Sequence, residues 1–180
     1  MVGLSVMQIA ASRGIKTINV IRDRPDQEDM VEKMKAWGGY IVVTESYLRT
    51  PNFRRLIKDL PAPRLALNGA GGYSATEIAR HLAPQGTLVT YGAMSNKPLQ
   101  LPTSLLLFND IRVRGFWLRR WNQENSQQEK ENMLNQLQSL IESQKLRLWI
   151  EHQDLSSFSA ALERYYEPFK NRKVVLHCDK

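Results

Sequence analysis

Short apolar runs alternate along the chain with longer stretches whose apolar residues recur every three or four positions. Residues 15–21 (IKTINVI) are rich in β-branched side chains and read as a strand, and Met30, Met34 and Trp37 then mark one face of a helix over 26–37. Residues 40–44 (YIVVT) form a second strand, followed by a helix over 52–60 with Phe53, Leu56, Ile57 and Leu60 on one side. RLALN at 64–68 is a third strand, and after AGGY a helix over 74–83 is expected, with Ser74 as its cap and Glu77 three residues on. GTLVTY at 86–91 and RVRGFWL at 112–118 read as a fourth and a fifth strand. The segment 127–143 is a long helix that turns Met133, Leu137, Leu140 and Ile141 toward a core, and KVVLH at 173–177 closes the series as a strand. Strands separated by helices of this length must pair in parallel through right-handed crossovers. The fold class is therefore α/β, a doubly wound parallel sheet of Rossmann-like type.

In such a sheet, ligands bind beyond the carboxyl ends of the strands. Three clusters fall there: Arg22-Asp23-Arg24, Asn68-Gly69-Ala70-Gly71-Gly72 and Tyr91-Gly92-Ala93-Met94. Glycine at a strand end serves either a tight turn or the approach of a ligand to bare backbone, and three clusters at successive strand ends favour one shared groove. An acid after the second strand of a dinucleotide fold ordinarily accepts from the adenosine ribose, whereas arginine receives a 2'-phosphate. Here two arginines flank Asp23, which favours NADP(H) over NAD(H), with a surface ion pair between Arg22 and Asp23 as the other reading. The chain opens inside what looks like a glycine-rich turn. Val2 and Gly3 end that turn, and residues 4–10 begin the helix that should face a diphosphate, so the first strand of the fold is expected to be missing.

Composition narrows this picture. The chain has 180 residues, 42% of them hydrophobic, which suits a single domain with a sizeable core. No apolar run approaches the roughly 20 residues of a membrane span. One cysteine, Cys178, excludes an internal disulfide, and His81, His152 and His177 lack a spacing that suggests a common metal site, so no metal is assigned. The net charge of +7 is spread over short groups such as Arg54/Arg55, Arg112/Arg114 and Arg119/Arg120 rather than one tail. Aromatic residues do not alternate with them as in RNA-binding modules. Trp117 and Trp149 are assigned to the core or to an interface.

The stretches VGLSVMQIAASRGIKTINVIRDRPD, PRLALNGAGG and GTLVTYGAMSNKPLQLPTSLLLFNDIRVRGFWL resemble the cofactor domain of the mitochondrial trans-2-enoyl-CoA (2-enoyl thioester) reductases of the medium-chain dehydrogenase/reductase superfamily. The resemblance implies an NADPH-dependent oxidoreductase of mitochondrial fatty-acid biosynthesis, which adds hydride to the β-carbon of a trans-2-enoyl thioester and a proton to the α-carbon. It places Val2 and Gly3 at the diphosphate and Arg22, Asp23 and Arg24 at the 2'-phosphate. Tyr91, Gly92, Ala93 and Met94 then stand beside the nicotinamide, with Phe116, Trp117 and Leu118 also bordering the cofactor. Asn68 sits at the third crossover, and Lys173 reaches the cofactor from near the carboxyl end. Ala93 departs from the usual glycine and is expected to strain the loop if positive φ is needed there. The family's proton-donating tyrosine lies in a separate GroES-like amino-terminal catalytic domain, and no residue here matches it.

The expectation is thus an NADP(H)-binding domain over 1–180, with the strand near 173–178 belonging to the missing catalytic domain, and with no catalytic residue of its own. It would meet its enoyl thioester only with that domain. The resemblance further implies a homodimer that extends the sheet through the edge strand RVRGFWL. The alternative is a shortened, non-catalytic relative serving as a structural subunit of a mitochondrial assembly, with a regulatory nucleotide-binding module as a third reading.

Overall fold

The computed structural model describes residues 1–178. Its elements follow in the order α1 (Val2–Ser12), β1 (Ile18–Ile21), α2 (Gln27–Ala36), β2 (Ile41–Thr44), α3 (Glu45–Leu48), α4 (Pro51–Ile57), β3 (Leu65–Asn68), α5 (Gly72–Arg80) and β4 (Thr87–Thr90). Then come α6 (Thr103–Leu107), β5 (Arg112–Gly115), α7 (Leu118–Glu124), α8 (Gln127–Glu142), β6 (Ile150–Asp154), a 3-10 turn, α9 (Phe158–Tyr166) and β7 (Lys173–His177).

The strands gather as β1-β2, β3-β4-β5 and β6-β7, and the ladders within the second and third of these sheets are parallel. Helices cross between successive strands, as an α/β fold requires. Among the described residues no ladder joins β1-β2 to β3-β4-β5.

The described residues divide into two compact units, one of residues 1–19, 24–42 and 136–178, the other of residues 20–23 and 43–135. In the first unit Met7, Met30, Met34, Ile41, Val42, Leu146 and Ala161 are buried. Met30 and Met34 are the apolar face read from the sequence. Buried Gln8 is fully used: its Nε2 donates to the carbonyls of Leu4 and Arg147, and its Oε1 accepts from the Arg147 N–H at 2.8 Å. Trp149 meets Trp37 edge-on with ring centroids 5.8 Å apart, and the Lys33 ammonium lies 4.2 Å from the Trp149 ring.

The second unit has its core between β3, β4 and α5, where Ala66, Ala79, Leu82, Leu88 and Ile111 pack with Ile78, Leu99, Leu101 and Leu105 at their margin. Burial alternates along β3, so Ala66 and Asn68 point inward while Leu65 and Leu67 remain exposed. Beside that core, fully buried Phe53 takes the edge of His81 at 4.8 Å between ring centroids. Burial pushes the His81 pKa down, against the opposing pull of a bond to the Leu48 main chain and of the Glu77 charge. The unfolded chain therefore binds more protons than the folded one just below the ordinary imidazole value. Stability should be full above about pH 6.5 and decline as the pH falls below it. Urea midpoints at pH 7.5 and 5.5 should differ more for the natural chain than for His81→Leu, and an equal pH dependence would remove His81 as the cause.

Four expectations need correction. Ser74 does not cap α5: Gly71 (φ 77) and Gly72 (φ 58) turn the backbone through left-handed conformations, and the helix begins two residues earlier. Glu77 accordingly lies 3.3 Å from Arg80 Nε instead of reaching back to Ser74. The strand expected over 112–118 ends at Gly115, and Leu118 opens α7. The apolar side of α8 is not core, because none of its residues is buried, and of the two readings of Trp117, core or interface, its 58% exposure removes the first.

Candidate functional site

The carboxyl ends of β3, β4 and β5 adjoin one another in the second unit, and their loops interlock. The Tyr91 N–H donates to the Asn68 carbonyl at 2.9 Å, Met94 N–H to Gly69 O at 3.1 Å and Ser95 N–H to Ala70 O at 2.9 Å, so the ladder of β3 and β4 continues into the two glycine loops. The Phe116 N–H donates to the Thr90 carbonyl at 2.9 Å and brings the FWL segment to the same crest. Three of the sequence-predicted clusters therefore meet: Asn68, Tyr91 to Met94, and Phe116 to Leu118.

Asn68 organises this crest. It is 1% exposed. Its Oδ1 accepts from the N–H groups of Ala70 (3.1 Å) and Gly71 (3.0 Å), while its Nδ2 donates to Thr90 Oγ1 at 3.1 Å. The side chain is occupied in shaping the turn, so its role is to position backbone. Beside it, glycine makes room for a side chain at one position and for a backbone turn at another. A Cβ on Gly69 would stand 2.7 Å from the Tyr91 hydroxyl oxygen, and Gly71 combines φ 77 with a Lys97 carbonyl 3.2 Å from any added Cβ. The Tyr91 phenol, laid over Gly69, has its pKa raised by burial, so it stays neutral. Met94 is 86% exposed, and Phe116, Trp117 and Leu118 are also exposed, which leaves the crest an apolar rim. The strain expected at Ala93 is absent: the positive φ of this loop falls on Asn96 (φ 53).

Asp23 and Arg22 belong to the same unit, at the end of β1. One Asp23 carboxylate oxygen accepts from the Ser46 N–H at 3.1 Å and the other from the Ser46 hydroxyl, and these bonds hold its pKa below the usual carboxylate range. Asp23 thus ties β1 to the start of α3, whose first turn is capped by the Thr44 hydroxyl accepting from the Tyr47 N–H. Arg22 is exposed.

The remaining predicted residues lie in the first unit. Val2 and Gly3 form the first turn of α1, which has no side-chain cap and no acidic residue there. Its leading N–H groups suit an anion. Arg24 has a different environment from Arg22. Its side chain is 9% exposed, its Nε donates to Asp26 at 2.6 Å and its Nη2 to the Phe169 carbonyl at 2.5 Å, and its guanidinium lies 5.4 Å from the Phe169 ring centroid. Asn171 donates to the other Asp26 oxygen at 2.9 Å. Arg24 is a clamp between the turn after β1 and the loop before β7. Lys173 is exposed at the start of β7, with its ammonium 5.9 Å from the Tyr165 ring.

Sequence reasoning missed Thr90, Thr44, Ser46 and Ser95. The signal was available for the first three, which sit at or just after strand ends, where short hydroxyl side chains commonly bond the turning backbone.

The zinc-binding dehydrogenase family matches residues 2–139. The mitochondrial enoyl-[acyl-carrier-protein] reductase of Dictyostelium discoideum is 52% identical over 176 residues, 98% of this chain and 50% of that protein. A structure of the Etr1p/NADP/crotonyl-CoA complex superposes with a TM-score of 0.87 at 30% identity, over 98% of this chain and 51% of that one. The mitochondrial 2-enoyl thioester reductase Etr1p/Etr2p heterodimer from Candida tropicalis gives 0.82 at 31% identity, over 91% and 48%. The chain spans about half the length of the curated relatives it matches. Although the family's description names zinc, among the described residues no three of His, Cys, Asp and Glu gather to hold a metal ion. The described residues do not fit a zinc site of three or four protein ligands. Among the described residues no helix is long and apolar enough to cross a membrane.

Proposed function

The chain belongs to the zinc-binding dehydrogenase family, and we propose that it is the NADP(H)-binding half of an enoyl thioester reductase of mitochondrial fatty-acid synthesis. The observation that carries this reading is the crest of interlocked loops at three adjoining strand ends, where Asn68 holds the Ala70 and Gly71 N–H groups and Gly71 and Gly72 turn the backbone into α5. Loops beyond the carboxyl ends of parallel strands are where an open α/β sheet takes a dinucleotide. NADPH would supply hydride. Toward it, the α1 amino end with Val2 and Gly3 would hold the diphosphate, Arg22 and its neighbours Asp23 and Arg24 would shape the 2'-phosphate site, and Tyr91, Gly92, Ala93 and Met94 would flank the nicotinamide. Asn68 would act through the loop it shapes, Phe116, Trp117 and Leu118 would wall the site, and Lys173 would reach the cofactor from β7.

The same reading takes residues 1–180 as the NADP(H)-binding domain, with the strand near 173–178 as the part that would belong to the catalytic domain; among the described residues that strand, β7, pairs with β6. No residue of the chain matches the tyrosine that the resemblance gives as proton donor, so the chain should bind without turning over. A homodimer through β5 is part of the proposal. All four β5 residues are exposed on the edge of their sheet, close in sequence to exposed Phe108 and Trp117.

Titration of the purified chain with NADPH and NADH, followed by an assay of crotonyl-CoA reduction, tests this directly. Tighter binding of NADPH with no reduction is the expected result. Failure to bind either nucleotide would overturn the cofactor assignment, and reduction of crotonyl-CoA would show that the chain holds its own proton donor.

A further inference from the structure

His152 and His177 are 25 residues apart, yet the parallel pairing of β6 with β7 brings them together. The register matches His152 with Val175 and Asp154 with His177. Because alternate residues of a strand share a face, His152 and His177 are diagonal neighbours on one side of the sheet. Their rings stack with centroids 4.5 Å apart and 28° between planes, and His177 Nε2 lies 2.6 Å from His152 Nδ1. Both residues are exposed.

We propose that this pair is a two-imidazole site for a divalent transition-metal cation of the copper and nickel type. At the 2.6 Å separation one ring donates its N–H and the other accepts. If the donating ring moves that proton to its other nitrogen, two neutral imidazole nitrogens adjoin one another, and a swing of each ring turns both lone pairs toward one cation. A cation bonded to both at about 2.0–2.1 Å, with about 90° between the bonds, needs nitrogens roughly 2.9 Å apart. Both side chains are exposed, so rotation about their side-chain bonds supplies this separation and convergence. Imidazole nitrogen selects copper, nickel and zinc over the hard ions magnesium and calcium, and copper binds most strongly of the divalent series. Among the described residues no third His, Cys, Asp or Glu completes a cluster, so water fills the other positions. The bound ion would join β6 to β7 across the segment that contains α9 and would stabilise the folded chain by mass action.

The test uses the full chain carrying Cys178→Ser, which removes the exposed thiol as a competing ligand. Calorimetric titration with Cu2+ should show one equivalent bound, Tm should rise by a few degrees at saturation, and the Cu2+ electron paramagnetic resonance spectrum should carry the hyperfine pattern of two equivalent nitrogens. His152→Gln and His177→Gln should each weaken binding at least tenfold, whereas His81→Leu should leave it unchanged. Binding that survives either of the first two substitutions, a spectrum with fewer than two imidazole nitrogens, or no saturable binding at all would overturn the site. In the last case the two rings are a hydrogen-bonded pair and nothing more.

Discussion

Replacing Asn68 by alanine should cost about 3 kcal/mol of stability and with it most of the nucleotide affinity. The substitution removes one donor and one acceptor that together make three hydrogen bonds, and it strands the N–H groups of Ala70 and Gly71 in a buried turn. An unsatisfied buried group costs roughly 1–3 kcal/mol. For a chain of this size, each kcal/mol moves Tm by about 2–4 °C, so a fall of roughly 6–12 °C is expected. Asn68→Asp keeps the acceptor for both N–H groups, and the Thr90 hydroxyl can turn to donate, so its loss should be smaller. Thermal unfolding gives the first quantity and fluorescence titration with NADPH the second. Equal Tm values for Asn68→Ala and the natural chain would show that the turn forms without the side chain.

Arg22→Ala should weaken NADPH binding roughly ten- to hundredfold, the range of a lost charge-assisted bond of about 1.5–3 kcal/mol, and should leave NADH binding within about twofold. Arg24→Ala should behave otherwise, although the two residues stand on either side of Asp23. The Arg24 guanidinium is committed to Asp26 and to the Phe169 carbonyl, so its removal should lower stability and weaken both nucleotides alike. The Arg24 bond to Asp26 holds that carboxyl below its usual pKa, and its contribution is present above the ordinary carboxylate range and lost as the pH falls through the lowered value. If the double variant loses NADH as strongly as NADPH, neither arginine reads the 2'-phosphate. If Arg24→Ala alone discriminates, the clamp opens on binding and the roles are reversed.

The contrast between these arginines shows what the chain makes legible and what it does not. The strands, their parallel pairing and the loops at 68–72 and 91–94 could be read because apolar runs and glycines are local signals, and the strand ends place the loops without further information. Arg24 could not be separated from Arg22 in that way. Its fate is decided by Phe169 and Asn171, some 145 positions away, and no periodicity reports a contact at such a distance. The histidine pair was hidden for the same reason, since its spacing of 25 acquires meaning only through the register of β6 on β7. Local misreadings have local causes. Ser74 fits a capping pattern, but two left-handed glycines had already turned the chain into its helix. At 118–124 (LRRWNQE) the apolar residues are too few to mark α7, so only Leu118 carries a reading there, as the end of the strand before it.

Asn68 is followed by glycine, the neighbour that least hinders attack by a main-chain nitrogen on the asparagine carboxamide. That ring closure is the route by which asparagine ages to aspartate and isoaspartate, and asparagine is among the residues depleted where proteins must endure heat. In the folded chain the carboxamide is pinned at both ends, by Ala70 and Gly71 on its oxygen and by Thr90 on its nitrogen. The bonds that shape the turn therefore also set its chemical lifetime. Deamidation at this position would act as a slow clock that advances only while the crest is open.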